Sequence, residues 1–305
     1  MTGTVGSRTR TRLVHTRHTG GVEESVSPRP ALPLAVDRAH LVDPAERDWY
    51  RITRYAPAAD VAGLARRYWI PVWSIPEGRQ AEQRVLQYPV CLLVVADRYA
   101  RWYGVTSGLS RTILEGTGWA FGLMMAPAAG YLLTGRAVRE HTDRYVDLAE
   151  LAGVDGVALT TAVREVIAPD PTAATRHEQA MRLVEAALRP VLPIDAEGDQ
   201  VNALVDLVES TPQLRTVDDL CGRVGLSERS LQRLLAKRVG ISPRWLIRRQ
   251  RLHEGSLRLQ SGQVELAALA YELGYADQAH FTRDFRAATG LTPGRFAGRF
   301  VDGFA

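Results

Sequence analysis

Two short stretches of this chain carry guanidinium and amide side chains at helical spacing. In the first, Arg229, Gln232 and Arg233 stand three and four residues apart. In the second, Gln278, Thr282 and Arg286 repeat every four residues, as do Ala279 and Arg283. Side chains so spaced share one face of an α-helix. Arginine donates two parallel hydrogen bonds to the O6 and N7 of guanine, and glutamine pairs in a bidentate way with adenine. Each such pair discriminates by about 1–3 kcal/mol. Ala279 offers only a methyl contact to thymine. Lys237 and Arg244 add cations suited to phosphate oxygens. The partner this chemistry fits is double-stranded DNA.

The elements that must position these groups are written twice, 50 positions apart. A capping residue (Ser227, Asp277) is followed at +4 by an apolar anchor (Leu231, Phe281) and at +6 by an arginine (Arg233, Arg283). Then come a glycine (Gly240, Gly290) and a Ser/Thr-Pro pair (Ser242 and Pro243, Thr292 and Pro293). Apolar segments 220–225 and 269–274, each closing on a glycine, lie just upstream. A helix, a glycine-bearing turn and a capped basic helix make a helix-turn-helix, here predicted over about 216–239 and 264–289. Thr216 caps the first supporting helix, with Asp218 and Asp219 in the turn where the helix dipole favours acids.

Pro243 opens a longer helix at the position where no donor is lost. Its run to about Gln260 spans roughly 27 Å, enough to set two recognition helices near one duplex turn (~34 Å) apart. Trp245, Leu246, Leu252 and Leu259 along it equally make a plain core stripe. Between Gly222 and Arg258, ten Lys/Arg stand against Glu228 and Glu254, within a chain whose net charge is only +4. That is the expected electrostatic footprint of phosphate contacts. Arg238, Arg286 and Arg299 read as phosphate contacts or surface charges.

At 305 residues and 46% hydrophobic content, the chain supports two ordinary domains, an α+β multidomain protein. No apolar run reaches the roughly 18–20 residues of a membrane span, so a soluble protein without a membrane partner is expected. Residues 1–48, rich in Thr, Gly, Ser, Pro and Arg, read as a disordered extension. Residues 49–153 hold short aromatic and β-branched segments punctuated by Pro and Gly, the texture of an antiparallel sandwich or barrel. Within them 57–69 is predicted helical, with Val61, Leu64, Ala65 and Tyr68 on one face, and a second short helix is placed in 131–141. Residues 154–194 read as a helical connector, and 195–305 as an all-helical reader.

Six aromatics of the β-rich part, Trp69, Trp73, Trp102, Tyr103, Trp119 and Phe121, suit either an apolar ligand pocket or ordinary core. A metal-dependent barrel enzyme needs two or three histidines beside a carboxylate. His141 is the one histidine between Trp49 and Gly153. No catalytic site, metal or cofactor is therefore expected. Cys91, inside an apolar strand, is too hidden to act as a nucleophile.

The second repeat, with Gly274, Tyr275, Asp277, His280, Phe281, Arg283, Phe285 and Arg286 followed by Gly290, Thr292, Pro293, Arg295 and Phe296, resembles the signature of the AraC/XylS family of bacterial transcription regulators. The likeness spans about 100 residues, from near Gln200 to Arg299. It implies a seven-helix reader with two helix-turn-helix units joined by a long helix. Arg229, Gln232, Arg233, Ala279 and Arg283 match the family's base-contacting positions. Ala297 departs from it, standing where the signature usually has arginine, and Ala279 replaces a residue commonly polar. The N-terminal half resembles, more loosely, the family's cupin-like sensor domains, through Tyr103 to Val105, Phe121 and Gly122, and 141–144. Such domains bind a small-molecule effector or mediate association. RNA polymerase and a second copy of the chain are the other partners implied, in a cytoplasmic protein held on the nucleoid when bound to DNA. Activation and repression both stay open.

Overall fold

The computed structural model of the chain describes residues 29–31, 48–262 and 264–301. Apart from 29–31 and 48, the expected extension 1–48 lies outside the described residues. The N-terminal part contains β1 (Tyr50–Tyr55), β2 (Ala65–Ser74), β3 (Ala81–Val85), β4 (Leu92–Ala96), β5 (Ala100–Tyr103), β6 (Ser110–Leu114), β7 (Thr117–Met125) and β8 (Tyr145–Asp147), with α1 (Ala129–Thr134), α2 (Gly156–Ile167) and α3 (Ala174–Leu188). The C-terminal part is helical: α4 (Ala196–Ser210), α5 (Val217–Val224), α6 (Glu228–Arg238), α7 (Pro243–Gln260), α8 (Leu266–Glu272), α9 (Gln278–Thr289) and α10 (Pro293–Val301). A β-rich N-terminal region therefore precedes an all-helical one, as the sequence implied. No helix among the described residues is long and apolar enough to cross a membrane.

Six strands form one antiparallel sheet in the order β1-β2-β7-β4-β5-β8, and β3 pairs with β6 in a separate ribbon. Successive residues of a strand face opposite sides. Tyr68, Ile70, Leu93, Val95, Trp102, Phe121 and Leu123 accordingly enter one core, which they share with Leu159 and Val163 of α2 and Met181 and Val184 of α3. Among the described residues β1 and β8 are the two edges of this sheet, and helices bury its inner face. The two helices of residues 154–194, α2 and α3, place Leu159, Val163, Met181 and Val184 in the same core as that inner face.

The helix predicted over 57–69 is corrected. Only a 3-10 turn, Ala59–Val61, forms there, and β2 begins at Ala65. Val61, Leu64, Ala65 and Tyr68 have a helical period, but the run from Tyr68 to Val72 pairs with β1 on one side and β7 on the other. Two ladders outweigh a short periodic signal. In the C-terminal part, by contrast, the predicted helix starts at Ser227, Ser242 and Asp277 stand as capping residues, each accepting from the backbone N–H three residues on. Thr216 and Asp219 form a reciprocal capping box.

Candidate DNA-binding surface

Each recognition helix is built from a buried and an open face. On α6, Leu231, Leu234 and Leu235 are buried, while Arg229, Gln232 and Arg233 are exposed together on the other side. On α9, Phe281 and Phe285 are fully buried; Gln278, Ala279, Arg283 and Arg286 are exposed and Thr282 is half-buried. Gly225 and Gly274 make the two interhelical turns at φ +66° and +78°. A side chain there would strain the left-handed backbone and alter the angle at which the recognition helix leaves.

The 18-residue α7 joins the two units. One of its edges faces α9 and the turn before it. Arg248 binds Asp284 of α9 through Nε at 2.8 Å, and Asp284 also lies 3.9 Å from the His280 ring. Arg251 donates to the carbonyl of Gly274 at 3.3 Å and to that of Arg215, tying the second turn to the segment before α5. Burial holds the Arg251 guanidinium below its usual range. Arg215, Arg244 and Arg248 together line a recess of about 470 Å3 between α5, α6 and α7, beside Thr216. Arg244 was expected among the phosphate-type cations. Arg215 and Arg248 were not, although Arg248 follows Arg244 by one helical turn, the spacing that would have shown them as neighbours.

The opposite edge of α7 grips the N-terminal domain. Trp245, Arg249 and His253 are spaced four apart, hence stacked along one side. The Trp245 indole and the Arg249 guanidinium both donate to the Ser107 carbonyl at 2.8 Å, and the Arg249 plane sits 4.6 Å from the Trp245 ring. Burial pushes Arg249 down to about 10, still a cation at neutral pH. His253 stacks on Tyr88 at 4.5 Å, its Nε2 3.4 Å from the Gln87 carbonyl.

Lys237 and Arg238 do not join the exposed row. Lys237 ion-pairs with Glu197 at 2.6 Å and lies over the Tyr131 ring of α1. Arg238, read from sequence as a surface or phosphate charge, is only 1% exposed. It binds Asp195, reaches Glu197 at 2.9 Å and covers the same Tyr131 ring at 4.3 Å. Both carboxyls are held below their ordinary values, Asp195 by Arg238 and Glu197 by Lys237 and Arg238. Immediately after this clamp, Gly240 turns the chain at φ +84°. There Thr142 donates to its carbonyl at 2.7 Å, and a Cβ would fall 2.6 Å from the Thr142 hydroxyl and 3.0 Å from the Val138 backbone. The end of the first recognition helix is thus an interdomain joint.

The six aromatics considered for a ligand pocket are not brought together. Trp102, Trp119 and Phe121 are buried in the inner core. Trp69, Trp73 and Tyr103 lie on the opposite face, around Val94, Ala96 and Ala120. The β2–β7 register sets Trp69 opposite Gly122 and Trp73 opposite Gly118, and each indole occupies the space a Cβ would need. Alternation along the strands separates the two sets. Burial pushes the Cys91 thiol up to about 12, so it stays protonated. Among the described residues no group of three or more His, Cys, Asp and Glu is placed to hold a metal ion.

Comparison with known proteins follows the same division. Residues 220–299 match a helix-turn-helix domain family, and residues 53–147 match a domain of unknown function, DUF6597. The HTH-type transcriptional activator RhaS of Pectobacterium carotovorum is 34% identical over 74 residues, 24% of this chain and 26% of RhaS. An uncharacterised HTH-type transcriptional regulator of Haemophilus influenzae is 24% identical over 122 residues, 40% of each chain. The chain thus spans between a quarter and two fifths of the length of these relatives. Among solved structures, an apo ToxT variant from Vibrio cholerae is 13% identical with a TM-score of 0.40, over 76% of this chain and 97% of that one. The C-terminal third is a helix-turn-helix domain, built twice around one long helix. It is a domain of the AraC type.

Proposed function

We propose that this protein is a sequence-specific DNA-binding transcription regulator whose two recognition helices enter successive major grooves of one duplex. One observation carries the reading: α6 and α9 each offer a row of exposed polar and cationic side chains on a capped helix, with the 18-residue α7 between them in the chain. Arg229, Gln232 and Arg233 read bases in the first groove. Gln278, Thr282 and Arg283 read them in the second, where Ala279 contributes a methyl contact and Arg286 a phosphate contact. Arg244, with Arg215 and Arg248 beside it, holds the backbone. Lys237 is assigned to the interdomain clamp and not to DNA. The protein works in the cytoplasm, and its contacts with RNA polymerase belong to the same reading.

The N-terminal domain regulates the reader through the α6 and α7 joints, in response to a small-molecule effector. A second reading, in which it acts by self-association alone, is favoured by the division of the six aromatics between two faces. Selection of bound sites from random duplexes tests the main proposal. Arg233→Ala should lose preference at one base of one half-site, at a cost of about 1–3 kcal/mol. Arg244→Ala should bind all duplexes less tightly, with the slope of log affinity against log salt reduced by about 0.9. Unchanged preferences for Arg233→Ala would remove α6 from base reading, and an intact full-length protein with no preference for any duplex would end the proposal.

A further inference from the structure

Away from the DNA-reading face, α3 buries two carboxylates. Glu178 is 4% exposed and Glu185 1%, and at seven residues apart they lie on one side of the helix. Carboxylates so deeply placed persist as charges only with a hydrogen-bonded cation beside them. That cation is Arg29. Its two terminal nitrogens reach the two oxygens of Glu185 at 2.6 and 2.8 Å, a fork-to-fork pair. Its Nε lies 3.4 Å from Glu178 Oε2, the same oxygen that its backbone N–H meets at 3.2 Å. A further N–H goes to the Ala56 carbonyl at 3.2 Å.

The walls of the cleft belong to the folded layers. Ala58 N–H donates to Glu185 at 2.9 Å, and Arg182 to Glu178 at 3.2 Å. The Tyr55 hydroxyl and His177 Nδ1, 2.8 Å apart, close one side. Tyr68 has no exposed surface, and its hydroxyl, within electrostatic reach of Glu185 and Arg29, has no hydrogen-bond partner among the described residues. Arg29 alone among the groups named comes from the N-terminal segment, through its guanidinium and its backbone N–H, and at 23% exposure the outer edge of its side chain meets solvent.

We propose that the Glu178–Glu185 cleft is a guanidinium receptor, occupied by Arg29 in the structure described and open to a small guanidinium compound once Arg29 is withdrawn. Planarity decides the ligand class. Two carboxylate oxygens in line accept two parallel N–H groups, which an ammonium cannot supply from one centre in that geometry. The occupant bridges the 56–58 loop to α3, and α3 leads through the 3-10 turn Arg189–Val191 to α4, at whose start Asp195 and Glu197 hold Arg238. As an effector site the cleft rests on the regulatory reading above; as a binding site it does not.

Full-length Arg29→Ala, titrated calorimetrically with methylguanidinium at millimolar concentrations, tests it. The variant should bind at least about tenfold more tightly than wild type, where Arg29 competes, and methylammonium should bind much more weakly. Methylguanidinium should also raise the melting temperature of the variant and leave that of wild type unchanged. Adding Glu185→Gln should abolish both effects. Should Arg29→Ala not fold, Arg29→Gln, neutral and close in size, is the host. Equal affinity in wild type and variant, no binding to either host, or binding that survives Glu185→Gln would overturn the assignment. DNA plays no part in these readouts, so their failure leaves the recognition-helix reading standing.

Discussion

The two helix-turn-helix units carry one pattern and sit in different surroundings. The first shares a continuous core with the N-terminal domain: Leu220, Leu231 and Leu235 pack in the same cluster as Val184, Val138 and Phe121. Its recognition helix ends in the Arg238 clamp. The second has a core of its own, with Phe281, Phe285 and Phe296 edge to face, and the N-terminal domain contributes to it one fully buried side chain, Leu86. The difference teaches that a repeat in sequence need not be a repeat in mechanics. The first unit is fused to the N-terminal domain by packing and charge. The second hangs from α7 and is pinned at Leu86, His253 and the loop around Gly290, against which Leu109 and Arg84 close.

The largest expected effect on this contrast comes from Leu86→Ala, which leaves a cavity at the pin and should cost about 3 kcal/mol in a urea melt of the full chain. A loss under about 1 kcal/mol would mean that the second unit does not depend on the pin. Arg238→Ala should follow at about 2 kcal/mol, since it strips a buried cation and its packing on Tyr131, while the half-exposed Asp195 and Glu197 recover water. Stability equal to wild type in that melt would dissolve the clamp. Next, Arg283→Ala and Arg233→Ala should each relax one half-site only. Arg283→Ala should fall nearer ~1 than ~3 kcal/mol, because Ala279 leaves it fewer polar neighbours. If binding-site selection finds both half-sites altered by either variant, the units are not read independently.

The smallest effect is that of acid on the clamp. Asp195 and Glu197 titrate below their ordinary 3.8 and 4.5 in the folded protein, so the folded state binds fewer protons than the unfolded one. Their contribution is complete above about pH 4.5 and is lost as pH falls through the lowered values. A pH series of melts on Asp195→Asn with Glu197→Gln should therefore lose part of the acid-limb steepness of wild type. An identical acid limb would show that the two carboxyls titrate alike in both states.

Much of the C-terminal part is legible in the order of its residues. Capping residues, turn glycines and the Ser/Thr-Pro pairs act through the backbone within a few residues of themselves, so Ser227, Ser242 and Asp277 mark helix starts wherever the chain goes. The exposed rows of α6 and α9 follow from the same local periodicity. The N-terminal half is harder to read, because a strand's fate depends on which partner it finds. The period in 57–69 is real, yet pairing with β1 and β7 makes its second half a strand. Trp69 and Trp102 look alike as aromatics of a β-rich stretch, and only the register of β2 with β7 and of β5 with β4 puts them on opposite faces.

Sequence by itself determined the tandem helix-turn-helix, its caps and turns, and which side chains α6 and α9 bury and which they expose. These are effects of short range, in which each residue's neighbours along the chain are also its neighbours in space. Tertiary structure alone decided that Arg238 is an interdomain clamp, that the paired face of α7 grips Ser107 and Gln87, and that Arg29 meets Glu185 across 156 positions of chain. Charge pairs of that kind leave no periodic trace, because what selects the partner is burial, and burial is settled only when the layers close.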